Sequence, residues 1–338
     1  MRHALLLLLA PVLWSCAASN APPAPRADHH VHVRSEAATD ALLRILQELG
    51  QAPPDSLVNQ MPPQIGAEDV IALLDSARVE QATLLSVGYF FGNPDVDFPD
   101  EYAKVRAEND YAARQAARYP DRLVAFCSVN PLADYALDEV RRCAEEPHLN
   151  GLKLQLANSD VDLRDSSDVR RLAAVFAEAN RQALPIVIHL WTRHPDYGRT
   201  DAEVFIDEVL PEAPDVPVQV AHLGGAGVFD DATASALRAF EAALERTPDR
   251  VDRVIFDVSA VALPPAQAQG DSAQAEQRRA LHARTARWIE RLGAERVVYG
   301  SDYFARSLPG YVETVRGLPL EEATLRRLFD NAAPYLRR

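Results

Sequence analysis

From Asp28 onward, short apolar runs alternate with longer stretches in which apolar residues recur every three to four positions. The first pattern is that of buried strands, the second that of helices with one buried stripe. The apolar runs fall at residues 28–33, 81–88, 122–129, 150–155, 185–190, 217–222, 253–259 and 296–301. Helical periodicity falls at 67–79, 102–118, 134–145, 166–183, 200–211, 231–246, 276–292 and 320–330. Strands alternating with helices imply a parallel sheet covered by helices. Eight such units fit a closed (β/α)8 TIM barrel better than a doubly wound sheet, because the Gly-rich first turn of the latter is missing. Residues 34–66 hold four prolines and little periodicity, so they are expected to form a long loop covering the barrel mouth.

The N-terminus departs from this pattern. Arg2 precedes an apolar run from Ala4 to Trp14, too short to span a bilayer but suited to the core of a signal peptide. The run ends in Leu13-Trp14-Ser15-Cys16, similar to the lipobox of bacterial lipoproteins, although Trp14 is atypical there. The expected organisation is a leader over 1–16, a Pro/Ala-rich tether over 17–27 that should not pack, and one domain over 28–338. Export with a lipid anchor on Cys16 follows, with ordinary cleavage near Ala17 or Ala18 as the other case. Cys127 and Cys143 are read as buried thiols, and an oxidising compartment would permit a bridge between them.

Composition narrows the partners. Hydrophobic residues make up 48% and charged residues 25%, so the chain can bury a core. With 35 Lys and Arg against 49 Asp and Glu, its formal charge of −14 argues against nucleic acid or an anionic membrane as a partner. A small-molecule substrate is expected instead, and the composition leaves the oligomeric state open. Lys104 and Lys153 are the only lysines, so a lysine within the barrel pattern invites a chemical explanation.

Strand one reads Asp28-His29-His30-Val31-His32. Period-two alternation puts Asp28, His30 and His32 on one face and His29 and Val31 on the other. Two imidazoles at a strand end suit a divalent metal such as zinc, although a lone HxH is a weak signal. Three further runs end in a metal-competent residue, at His189, His222 and Asp302, and barrel enzymes draw their chemistry from strand C-termini. By the same alternation Asp257 and Ser259 point inward, either as barrel filling or as catalytic groups. Asp28 is read as a supporting carboxylate rather than a base.

These residues sit in DHHVH (28–32), GLKL (151–154), IHL (188–190), AHLGG (221–225), GSD (300–302) and FDNAAPYL (329–336). Together they resemble the amidohydrolase superfamily, in particular the amidohydrolase-related group that includes aminocarboxymuconate-semialdehyde decarboxylase-like proteins. The resemblance spans about residues 28–336. It implies one divalent metal, most simply zinc, held by His30, His32, His189 and Asp302, with His222 polarising the reacting group. It also implies a second possibility, in which Lys153 is carboxylated and shares a second ion with the strand-five and strand-six histidines. Otherwise Lys153 remains an ammonium facing a substrate carboxylate. Bound zinc lowers the pKa of its water to about 7, and Asp302 would then accept the water's proton while His222 steadies the oxyanion. Arg193, His194 and Trp191 after strand five, and Tyr89, Phe90 and Phe91 after strand two, are candidate substrate contacts, with an Arg gripping a carboxylate in two-point fashion the foremost.

Three functions compete. The first expectation is a metal-dependent hydrolase of an amide, lactam, lactone or ester. The second is a metal-dependent decarboxylase of a small unsaturated or aromatic acid, which needs an anchored carboxylate and no attacking water. The third is a non-catalytic binding lipoprotein whose metal is structural, and a coordination sphere closed by protein would mark it.

Overall fold

A computed structural model of the chain describes residues 23–264, 272–303 and 307–336. The leader, Cys16 and most of the tether lie outside the described residues. Eight strands, β1 (Ala27–His32), β2 (Gln81–Leu85), β3 (Leu123–Ser128), β4 (Leu149–Gln155), β5 (Ile186–His189), β6 (Val218–Val220), β7 (Val254–Asp257) and β8 (Val297–Val298), pair in parallel in that order. Residues 299–303 continue β8 along β1: His29 N–H donates to the Tyr299 carbonyl, Asp302 N–H to that of His30, and His32 N–H to that of Tyr303. The ring therefore nearly closes, as a (β/α)8 barrel.

Most strands end earlier than their apolar runs, and the reason is chemical. At the C-terminal rim the backbone leaves the extended form: Gly88–Gly92 and Ala221–Gly224 make tight helical turns, and His222, Leu223, Ala260 and Asp302 take positive φ of 52° to 61°. Each such non-glycine residue costs about 1–2 kcal/mol, a strain that proteins tolerate where a side chain must be aimed.

The stretch after β1 is not the expected structureless loop. It contains a helix, Glu36–Glu48, and a short turn, Asp55–Val58. Ser35 caps the first helix by accepting from Ala38 N–H, while its own N–H donates to the buried Glu108. Ala38, Ala41 and Ile45 form its buried stripe. Two of the three are alanines, so the stripe carries little hydrophobic contrast and reads as loop. The helix packs on Val87, Tyr89, Phe90, Phe91 and Phe98 and so covers part of the mouth. Those aromatics are thereby largely consumed as core. Two other expectations also change. The helix expected over 200–211 is helical over Arg199–Val204 and then widens and tightens through Phe205–Glu212, where Pro211 cannot continue it. The tether's last residues do pack, since Arg26 N–H donates to the Phe329 carbonyl and Arg316 to that of Pro23.

The floor of the barrel is sealed by the chain's end. Tyr335 packs 5.0 Å from the Phe126 ring and donates to Gln219 Oε1 at 2.5 Å. Phe126 fits only because β4 carries Gly151, where a Cβ would lie 2.4 Å from the ring. Among the described residues no helix is long and apolar enough to cross a membrane.

Cys127, on β3, and Cys143, on the helix Ala136–Glu145, form a disulfide that closes a loop with a sequence separation of 16. For a loop of that length, reduction is expected to lower unfolding stability by about 3 kcal/mol. Alkylation of denatured, unreduced protein should leave both cysteines unlabelled; two labelled thiols would contradict the pairing.

Candidate metal centre

The centre begins with an irregularity in β1. Asp28 pairs with Ala82 and Val31 with Leu84, so His29 and His30 together oppose Thr83. An extra residue reverses strand parity. The simple alternation expected from sequence therefore fails at His29, which is not turned out to the helices. Its Nδ1 donates to the Tyr299 carbonyl (2.8 Å), its Nε2 accepts from Ala333 N–H (3.0 Å), and its ring lies edge-on to Tyr335, so it belongs to the barrel floor. Asp28 joins β1 to the β8 continuation by accepting from the N–H groups of His30 (3.1 Å) and Ser301 (2.9 Å), and burial pushes its carboxyl up to about 7.

Above that floor, Asp257 is the hub. Its Oδ2 accepts from His30 Nδ1 (3.0 Å) and Gln219 Nε2 (2.7 Å), and its Oδ1 from the N–H groups of His222 (2.9 Å) and Ser259 (3.0 Å) and from the Ser259 hydroxyl. Burial alone would raise its pKa, but the neighbouring His30 and His222 and these donors hold the carboxyl well below the usual range. Asp257 thus stays ionised and fixes the His30 proton on Nδ1. Gly300 makes room, since a Cβ there would lie 2.9 Å from that of His30.

With Nδ1 committed, His30 presents a bare Nε2 to the barrel mouth. It lies 3.2 Å from His32 Nε2 and 3.5 Å from Asp302 Oδ1, and His32 Nε2 is 3.4 Å from the same oxygen. Burial lowers the pKa of all three neighbouring imidazoles: His30 falls to about 4, His32 falls, and His189 falls well below its ordinary value. They are therefore neutral, with lone pairs available. Asp302 is ionised, because a His32 hydrogen bond and the nearby His222 and His30 outweigh its burial. Three acceptors converge with too few protons to share. His189 lies outside this compact trio, beside His222 at 4.7 Å between ring centres, and its buried Nε2 has no hydrogen-bond partner among the described residues. A divalent cation answers the three converging groups at once, and the unpartnered His189 Nε2 is a further donor nearby, so the donor set fits one.

A second cluster, His30, His222 and Asp257, is also compact enough for an ion. Its atoms, however, are already joined through protons and through Ser259. His222 Nδ1 donates to the Ser259 carbonyl (2.9 Å) and hydroxyl oxygen (2.8 Å), which leaves Nε2 for a ligand. Lys153 is 1% exposed and no described residue accepts a hydrogen bond from it. Burial lowers its ammonium to about 8 while Asp257 and Asp302 draw it back up.

The loop residues separate. Trp191 and Arg193 line a cavity of about 380 Å3 at the mouth, together with Ile45, Leu49, Gln155 and Asn158. Arg193 is paired with Asp95 (2.6 Å) and with the Ala157 carbonyl (2.5 Å), not held open. His194 turns back into its own loop, accepting from Asp196 N–H (3.1 Å). Sequence reasoning left Asp257 undecided and passed over Gln155, Asn158 and Gln219. A signal existed for two of them: Gln219 interrupts the apolar β6, and Gln155 follows Lys153 by two residues on the inward face.

The amidohydrolase family profile matches residues 27–337. The chain belongs to the amidohydrolase family. No curated protein matches it in sequence. Among solved structures it is similar to a 5-carboxyvanillate decarboxylase from Novosphingobium aromaticivorans with bound manganese, at 16% identity over 93% of this chain and 97% of that one, with a TM-score of 0.61. A 2,6-dihydroxybenzoate decarboxylase has 15% identity over 93% and 100%, with a TM-score of 0.57. A putative 2-pyrone-4,6-dicarboxylic acid hydrolase from Pseudomonas putida has 18% over 92% and 97%, with a TM-score of 0.56. These likenesses establish a shared fold. Family membership and the His/Asp cluster together support an enzyme with a divalent metal.

Two substitutions outside the His30, His32 and Asp302 cluster test how Asp257 and Gly300 hold His30. Asp257→Asn removes the charge that fixes the His30 tautomer, and Gly300→Ala crowds the His30 Cβ. Each is expected to weaken metal binding about 10- to 100-fold with the fold retained. Metal content after dialysis against a weak chelator measures this, and full retention in both variants would contradict it.

Proposed function

We propose that the chain is a metal-dependent decarboxylase of a small aromatic or unsaturated acid. The observation that carries this reading is a dry site with one buried ammonium beneath a largely apolar mouth. None of His30, His32, His189 and His222 is more than 9% exposed, and the unpartnered Lys153 ammonium lies among them. A carboxylate drawn into such a site loses its water, which favours its release as carbon dioxide, whereas hydrolysis must bring water in as a reactant. The decarboxylases among the solved neighbours support the same choice over hydrolysis, the first expectation from sequence.

His30, His32, His189 and Asp302 are the proposed ligands of a single ion. Three imidazoles and one carboxylate suit zinc, with manganese, present in one neighbour, as the alternative. When bound, the ion supplies positive charge that stabilises the electron-rich carbon skeleton as carbon dioxide leaves. Lys153 anchors the substrate carboxylate. The carbon–carbon bond breaks, the electron pair stays on the substrate carbon, and that carbon takes a proton that the bare His222 Nε2 has first picked up from solvent water. The His222 Nδ1 proton is held by Ser259, so only Nε2 can deliver one. Trp191 provides a flat wall for the ring. Lys153 acts here as an ammonium, without a carbamate or a second ion.

Hydrolysis of a lactone or related bond is the second reading. It is favoured by one observation, the ionised Asp302, whose Oδ1 can accept a proton from water. Export with an anchor on Cys16 also remains a proposal; the Cys127–Cys143 disulfide supports it, because an oxidising compartment sustains such a bond.

The deciding experiment offers metal-loaded protein a set of hydroxybenzoic acids with isotopically labelled carboxyl groups, in deuterated water. Labelled carbon dioxide and deuterium at the vacated carbon are expected. Ring opening of a pyrone without carbon dioxide release would establish the second reading instead. The apparent KM should rise with pH, approaching about tenfold per unit once Lys153 deprotonates. Since burial depresses this ammonium from 10.5 to about 8, and a neighbouring dication depresses it further, the rise begins no higher than about pH 8. In Lys153→Met the rise should vanish and KM be high throughout.

A further inference from the structure

Lys153 and Gln155 share the inward face of β4, and Gln155 pairs in register with His189. Two residues apart on a strand, their Cα atoms lie about 6.6 Å apart, so both side chains can face one bound ring. Gln155 also lines the mouth cavity, next in register to His189. Its Oε1 accepts from Asn158 N–H (2.7 Å), which turns the amide so that Nε2 is a donor with no acceptor among the described residues. Of the neighbouring amides, those of Asn93 and Asn158 are spent on each other and on backbone. Asn158 Nδ2 donates to the Tyr89 carbonyl (2.6 Å), and Asn93 Nδ2 donates to Asn158 Oδ1 (3.1 Å).

Arg193 is the one cation among the described residues lining this cavity, and its charge is already answered. Asp95 binds NH1 at 2.6 Å, the Ala157 carbonyl accepts from Nε, and Asp160 lies 3.8 Å from Nε. Two carboxylates surround one guanidinium, so a further carboxylate entering the mouth meets net negative charge, whereas a neutral oxygen meets the Gln155 donor. The apolar walls, Trp191, Ile45 and Leu49, suit the faces of a flat ring, and Gln51 adds a second neutral amide at the rim.

We infer that this site selects aromatic acids that carry a single carboxyl group and a neutral oxygen substituent, a hydroxyl or an ether, and discriminates against dicarboxylates. The inference rests on the aromatic-acid reading above and deepens it. It also separates this chain from the neighbours named for 5-carboxyvanillate and for a pyrone dicarboxylic acid, whose named compounds carry two carboxyl groups.

The test is calorimetric binding to the zinc-loaded protein, independent of turnover. The probes are 4-hydroxy-3-methoxybenzoate, 5-carboxyvanillate, which differs from it by one carboxyl group, and unsubstituted benzoate. The monoacid is expected to bind at least about tenfold more tightly than the diacid. Asp95→Asn releases Arg193 and should tighten the diacid about tenfold while leaving the monoacid within about threefold. Gln155→Leu should cost the hydroxylated monoacid about tenfold and leave benzoate unchanged. Equal or tighter binding of the diacid by the unmodified protein, or a ratio that Asp95→Asn fails to move, would overturn the inference. Monoacid preference without carbon dioxide release would refute decarboxylation and leave the selectivity standing. Failure of every acid to bind would refute both.

Discussion

A full negative charge buried at the centre of the barrel, on Asp257, is the constraint from which the site follows. A carboxylate without water must be surrounded by donors, and here β1, β6 and the turns after β6 and β7 each send one or more. His30 Nδ1 is among them, and that commitment turns the opposite ring nitrogen into a bare lone pair. Once His30 Nε2 faces His32 and Asp302 in a space with few protons, a cation is the natural partner. The charge that organises the barrel interior thus also creates the affinity at its rim.

The same logic accounts for where the chain is strained. His222 and Asp302 both adopt left-handed backbone, and both are aimed inward from strand ends that an extended chain would have carried past the mouth. Asp28 stitches the β1 end to the β8 continuation, so the two strands that supply His30, His32 and Asp302 move together. Strain and stitching are costs in stability, offset by the packed helical layer and by the disulfide across β3 and its following helix.

Much of this was legible in the sequence, because barrels repeat. Eight apolar runs separated by helical periodicity specify the architecture, and the residues closing those runs, His189, His222 and Asp302, stand out against them. What stayed hidden had physical reasons. The bulge at His29 and His30 leaves no mark in residue type, only a shift in pairing. The helix Glu36–Glu48 buries alanines, which a hydrophobic pattern barely registers. Asp257 looked like any polar residue filling a barrel, because its role depends on partners up to 227 positions away. Arg193 looked like an open cation, and only its distance to Asp95 shows its charge is spent.

Direct observation of the ion is the sharpest test of this account. X-ray absorption at the metal edge of the zinc-loaded protein, joined to anomalous diffraction from its crystals, reports both the atoms around the ion and its place in the fold. The account predicts one ion per chain, with three imidazole nitrogens at about 2.0–2.1 Å from His30, His32 and His189, an oxygen from Asp302 and one further position open to solvent. An ion seated instead between His222 and Asp257, or a coordination sphere without His189, would contradict it.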